Sequence, residues 1–201
     1  HRIVIHPRCS RIIREGKLWS WKVNKAGDIL NVLQDGEDHG WDAVGYALEG
    51  GRPMVELMYC DFMGRAGDEI FNQLAKWQAM SGGYCRMPVV LRVSVGSKYG
   101  AQHSQDWTAL VAHIPGLKVV APATPADMLG LFRASMADPD PVIFLEHKSL
   151  YPVKGEVPDG EIVDRLGAAT IVRPGKDATI AALALMVPRA IAAAARERGI
   201  E

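Results

Sequence analysis

The sequence predicts an α/β fold, a mainly parallel sheet with helices on both faces, and three observations lead there. From Gly51 onward, β-prone runs alternate with segments of helical spacing, the pattern of βαβ units. Residues 89–95 read as a buried strand bounded by turn residues. The chain has 201 residues, 48% of them apolar, with 23 Lys plus Arg against 23 Asp plus Glu, enough for a substantial core and unlike a disordered or fibrous chain.

Taken in order, residues 19–23 alternate large and polar side chains, residues 24–28 carry turn chemistry, and residues 29–33 resume a β-prone run, which predicts a hairpin. Residues 38–48 place Trp41, Val44, Ala47 and Leu48 on one face, with Asp38 as the cap of a short helix. A strand is expected over residues 54–59. A helix follows over residues 68–80, with Ile70, Phe71, Leu74 and Trp77 at helical spacing, and Gly82-Gly83 ends it. After the strand 89–95 come a loop over 96–104, a short helix to His113, a turn at Pro115-Gly116 and a strand over 117–121. Thr124-Pro125-Ala126-Asp127 combines a hydroxyl cap, a first-turn proline and an acid near the positive end of the helix dipole, so a helix begins there and runs to Ala137. Asp138-Pro139-Asp140-Pro141 breaks it, and a strand over 142–146 follows. Residues 147–166 read as a linker to a new strand over 179–185 and a helix over 187–198. This divides the chain into an atypical segment 1–48, a main domain 49–150, a linker 151–167 and the start of a second α/β domain, 168–201. Beginning at His1 and stopping one βα unit into that domain, the sequence reads as part of a longer chain.

Charge is uneven. Residues 1–25 hold seven basic side chains and one acid, Glu15, leaving 16 basic and 22 acidic residues elsewhere, which excludes a general nucleic-acid surface over most of the chain. The apolar stretch 178–195 contains Pro188 and Arg189 and falls short of a membrane span. Cys9, Cys60 and Cys85 are too few and scattered for a disulfide framework, which points to a reducing, cytoplasmic setting.

Several motifs stand in a fixed order: Gly51-Arg52-Pro53 before a strand ending near Phe62, Met80-Ser81-Gly82-Gly83, Pro88-Val89-Val90-Leu91-Arg92, Gly100-Ala101-Gln102-His103-Ser104-Gln105, His113-Ile114-Pro115-Gly116-Leu117-Lys118-Val119-Val120, and Asp140-Pro141-Val142-Ile143-Phe144-Leu145-Glu146. With this set, about three quarters of the chain resembles the beta subunit of the thiamine-diphosphate-dependent decarboxylating component of 2-oxo-acid dehydrogenase complexes, a transketolase-like pyrimidine-binding fold. The resemblance implies oxidative decarboxylation of a 2-oxo acid and acyl transfer to lipoamide. It implies a hetero-oligomer, a heterotetramer with an alpha subunit that holds the diphosphate and its Mg2+, and a lipoyl-bearing acyltransferase core as a further partner. His103 corresponds to a catalytic histidine of the substrate channel, and Phe62 to the aromatic residue packed on the cofactor's aminopyrimidine ring. Ser135, Asp138 and Asp140 match a loop that in some members binds a monovalent cation such as K+. The family's cofactor-activating glutamate falls, on an ungapped alignment, at Gly36, with Glu37 one place away. By residue type alone, His103 is a solvated loop histidine, Phe62 a packing residue, and the two aspartates turn formers. A non-catalytic interaction module of the same fold is the alternative.

The first quarter resembles something else. Ile5-His6-Pro7-Arg8-Cys9, the hairpin and Asp38-His39-Gly40-Trp41-Asp42-Ala43 resemble the end of the nuclease domain of phage terminase large subunits. In that family Asp42 would be the last carboxylate of a two-metal site, with His39 on the same helical face, since divalent cations clamp the reacting oxygens through oxygen ligands. The two earlier aspartates of that site have no counterpart here. The two resemblances meet within residues 42–50, which reads as a chimera, and a nuclease fragment is the third functional alternative. Any nucleic-acid contact would run through this basic segment.

Overall fold

The structure, a computed structural model, describes residues 21–23, 29–33, 51–96, 100–160, 162 and 166–196. Strands β1 (Trp21–Val23) and β2 (Ile29–Leu33) pair antiparallel, Trp21 opposite Leu33 and Val23 opposite Ile29, as the predicted hairpin requires. Its turn, and the helix expected over 38–48, lie outside the described residues.

The main sheet contains β3 (Met54–Leu57), β4 (Val90–Val95), β5 (Lys118–Val120) and β6 (Val142–His147) in the order β3-β4-β6-β5, every pairing parallel. The central pair runs in register from Val90 opposite Val142 to Val95 opposite His147. Both faces are covered, as parallel sheets require. On one, Leu91, Val93, Val95, Ile143 and Leu145 pack against Cys60, Met63, Ile70 and Val111. On the other, Val90, Val120, Val142 and Phe144 lie beneath Met128, Leu131 and Phe132, with the Phe132 ring edge-on to Phe144 at 5.7 Å. Phe144 is fully buried.

The helices are α1 (Ala75–Met80), α2 (Thr108–Ala112), α3 (Pro125–Ala137) and α4 (Met186–Arg196), with 3-10 turns at Cys60–Gly64 and Lys148–Leu150. The helix expected over 68–80 forms, but Glu69–Leu74 is wound as a π-helix before α1 continues it. Ile70 thereby enters the cluster under β4, while Trp77 joins a second one with Met87 and Val89. α3 begins and ends where its cap and breaker predict. Thr124 Oγ1 accepts from the Asp127 N–H, and the Asp127 carboxylate accepts from the Thr124 N–H, a reciprocal capping box. Gly116 turns the chain at φ +98°, where a Cβ would collide with the Ala75 carbonyl of α1.

Two expectations are corrected. Phe62 does not end a strand: β3 stops at Leu57, and Phe62 lies in the 3-10 turn Cys60–Gly64. Residues 179–183 form no strand: among the described residues no strand pairs with them, and Ile180 and Leu183 are exposed. The helix predicted after them does form as α4, with Pro188 in its first turn, where a missing N–H costs nothing. Among the described residues, no helix is long and apolar enough to cross a membrane.

Candidate functional site

Because β3, β4 and β6 are adjacent and parallel, the segments leaving their carboxyl ends meet on one edge of the sheet, where open α/β sheets bind ligands. β3 leads to Tyr59–Phe62, β4 to the loop carrying His103–Trp107, and β6 to Lys148. Gly96 starts the second segment at φ +84°, against the ring of His147, where no Cβ fits.

His103 lies where these three segments converge. Its ring stacks on Tyr59 at 4.1 Å between centroids and 14° between planes, and the Phe62 ring stands 5.7 Å away, tilted. Phe62 itself is 38% exposed. Nδ1 of His103 is buried, makes no hydrogen bond and lies 3.6 Å from Asp61 Oδ2. The buried Lys148 donates from Nζ to the His103 carbonyl and stands 4.8 Å above the Tyr59 ring. Asp61 also accepts a 3.0 Å bond from Gln105 Nε2, and Gln105 Oε1 accepts a 2.6 Å bond from Trp107 Nε1. Burial, with Asp61 adding to it, pushes the neighbouring Cys60 thiol up to about 11, so it stays protonated and is no nucleophile at neutral pH.

A second polar group lies on the α3 face of the sheet. Arg92 grips Glu146 bidentately, Nε to Oε1 at 2.6 Å and NH2 to Oε2 at 3.0 Å, and Tyr151 donates to Oε2 at 3.3 Å. Burial, then the charge of Glu146, pushes the Tyr151 phenol up to about 12. Arg92, Thr124, Met128, Glu146, His147 and Tyr151 line part of a cavity of about 430 Å3.

Of the residues predicted for chemistry, His103 and Phe62 lie together, their ring centroids 5.7 Å apart. Ser135, Asp138 and Asp140 do not assemble as a cation cage. Ser135 Oγ donates to the Leu131 carbonyl at 2.6 Å, a bond within α3. The Asp138 and Asp140 carboxylates converge on Lys118 Nζ at 2.7 and 3.0 Å, and the Met136 and Asp138 carbonyls accept from Arg52 at 3.1 and 2.6 Å. The chain's own cations engage these donors, so K+ does not fit the group as it stands. Asp42, His39, Gly36 and Glu37 lie outside the described residues, and no cluster of three or more metal-ligating side chains occurs among the described ones.

Sequence reasoning missed Tyr59, Asp61, Lys148 and Trp107, and quoted Gln105 only as part of a motif. They come from three segments, Tyr59 and Asp61 after β3, Gln105 and Trp107 after β4 and Lys148 after β6, and no spacing links one segment to another. The one local signal was the position of Asp61 directly before Phe62.

A parallel sheet covered on both faces, with an aromatic and imidazole cluster outside its carboxyl edge, makes this a doubly covered α/β domain. The chain belongs to the transketolase pyrimidine-binding domain family, whose profile matches residues 42–154. It is 53% identical over 163 residues to the acetoin:2,6-dichlorophenolindophenol oxidoreductase subunit beta of Cupriavidus necator, covering 79% of this chain and 48% of that protein. It is 46% identical over 163 residues to the pyruvate dehydrogenase E1 component subunit beta of Rhizobium meliloti, covering 79% of this chain and 35% of that one. Among solved structures, a split gene transketolase described as an inactive beta4 tetramer superposes with a TM-score of 0.64 at 25% identity, covering 83% of this chain and 52% of that chain. The chain thus spans about half the length, or less, of these relatives.

Proposed function

We propose that this chain is part of the beta-type subunit of a 2-oxo-acid dehydrogenase of the pyruvate, branched-chain or acetoin type. It would use thiamine diphosphate for oxidative decarboxylation and pass the acyl group to lipoamide on an acyltransferase core. The observation that carries this reading is the cluster of His103, Tyr59 and Phe62 at the carboxyl edge of a pyrimidine-binding-family sheet. The residues fit the cofactor's pyrimidine half: the partly exposed Phe62 offers apolar ring surface to a heteroaromatic ring, beside the His103 imidazole. When bound, thiamine diphosphate supplies the nucleophilic carbon and electron sink for decarboxylation. The chain's own part is to orient and to handle a proton: Phe62 restricts the ring, and His103 holds or delivers a proton at the substrate oxygen, work suited to an imidazole near pH 7. An alpha subunit would hold the diphosphate and Mg2+. Free thiols at Cys60 and Cys85 accord with a reducing, cytoplasmic setting. The test is co-expression with an alpha subunit from such a complex. A stable hetero-oligomer that binds thiamine diphosphate supports the reading; separate chains without cofactor binding would remove it.

We further propose that residues 1–48 have a separate origin, with a boundary within 42–50, because the family match begins at residue 42. The domain divisions at 150 and 167 go with this reading. Single unamplified reads of the source nucleic acid across those codons decide it: reads that cross the seam mean a genuine fusion, and none doing so means an assembly artefact.

A further inference from the structure

His103 carries its protons on ring nitrogens that face different surroundings, and the structure distinguishes them. Nδ1 is buried, and the acceptor beside it is Asp61 Oδ2 at 3.6 Å. No hydrogen bond reaches it. The side-chain N–H of Gln105 goes to Asp61 Oδ1 at 3.0 Å, and Trp107 Nε1 holds Gln105 Oε1 at 2.6 Å, which fixes which end of the Gln105 amide faces Asp61. The Lys148 ammonium binds the His103 backbone carbonyl, not the ring. Tyr59 stacked flat on the ring, with Lys148 on the Tyr59 ring, leaves the imidazole little room to flip. A bare Nδ1 lone pair facing a carboxylate would be repelled and unsatisfied, whereas an Nδ1–H pointing at that carboxylate is attracted.

We infer that Asp61, itself oriented by Gln105 and Trp107, is a positioning residue that holds neutral His103 as the Nδ1–H tautomer, presenting the Nε2 lone pair to a bound ligand. The 3.6 Å separation is longer than a hydrogen bond, and such contacts commonly tighten in the substrate complex. The tautomer claim stands on this chain alone; its catalytic consequence rests on the function proposed above. Asp61→Asn tests it sharply. Gln105 Nε2 needs an oxygen, so the new amide oxygen faces Gln105 and its NH2 faces Nδ1, which must then become the acceptor. The substitution inverts the tautomer without changing the shape of the side chain.

The measurement is a long-range proton to nitrogen-15 correlation of the imidazoles in the full labelled chain, at alkaline pH with the ring neutral, His103 being assigned by its loss in His103→Asn. The expected result is Nδ1–H in the wild type and Nε2–H in Asp61→Asn. Nε2–H in the wild type would overturn the inference even if the variant failed to fold, as would a folded variant with an unchanged tautomer. In the reconstituted complex, the same variant lowers kcat by about 100-fold or more with KM little changed, the scale of lost acid–base catalysis. Inverted tautomers without loss of kcat would leave the positioning intact and remove His103 from the reaction. An inactive wild-type complex would count against the proposed function, not against the tautomer.

Discussion

At the scale of single residues, His147 gives the clearest pH dependence. It is half-buried at the end of β6, its Nδ1 accepts the Ser149 N–H at 3.2 Å, and its ring lies against Gly96. Burial lowers its pKa below 6.5; the charges of Lys148 and Arg189 lower it further, and Asp106 opposes them. The unfolded chain therefore takes up a proton at about pH 6.5 that the folded chain takes up only at lower pH. The stability attached to this residue is complete above pH 6.5 and is lost as the pH falls below it. Thermal unfolding should show a Tm that is level from pH 8 to 7 and falls between pH 6.5 and 5.5, with a smaller fall in His147→Asn, whose amide oxygen can still accept from Ser149. An equal slope in the variant would contradict this. The same scale shows the limit of reading a site from sequence. His103 and Phe62 were singled out because each lies in or beside a motif, but Asp61 and Lys148 meet Gln105 and His103 across more than 40 positions, and no local pattern announces such contacts.

At the scale of elements, legibility follows how local the determining force is. α3 was readable to the residue because its start is a capping box and its end a proline-rich breaker. Thr124→Ala removes the Oγ1 acceptor and half of that box, and should cost about 1 kcal/mol, the usual loss for an N-cap. Denaturant unfolding checks it; a change below a few tenths would mean the cap is redundant with the Asp127 bonds. β4 and β6 were readable from apolar runs, and Phe144 confirms why: it is fully buried between α3 and the sheet. The strand expected over 179–185 failed for the opposite reason. β-propensity describes how side chains fit a pleated, half-buried surface, and residues 179–183 have no such surface beside them. The π-helix at Glu69–Leu74 had no sequence signal either: it lacks proline and glycine, and nothing in the structure explains it.

At the scale of the whole molecule, the parallel order β3-β4-β6-β5 makes the site. It gathers three strand ends on one edge, so residues from 59 to 148 act together. The same order places Lys118 and Arg52 by the loop after α3, where internal cations hold the acidic and carbonyl groups. After the main sheet Leu166 packs on the cluster of Val90, Val142 and Phe144 and Ala184 is buried, whereas Ile171, Val172 and Ile180 are exposed. The measurement that bears most directly on the account is calorimetric titration of thiamine diphosphate, with Mg2+, into this chain mixed with an alpha subunit, and into each chain alone. Saturable binding to the mixture that neither chain shows alone is expected, weakened when Phe62 is replaced by Ala. Undiminished binding to the alpha subunit alone, or none to the mixture, would contradict it.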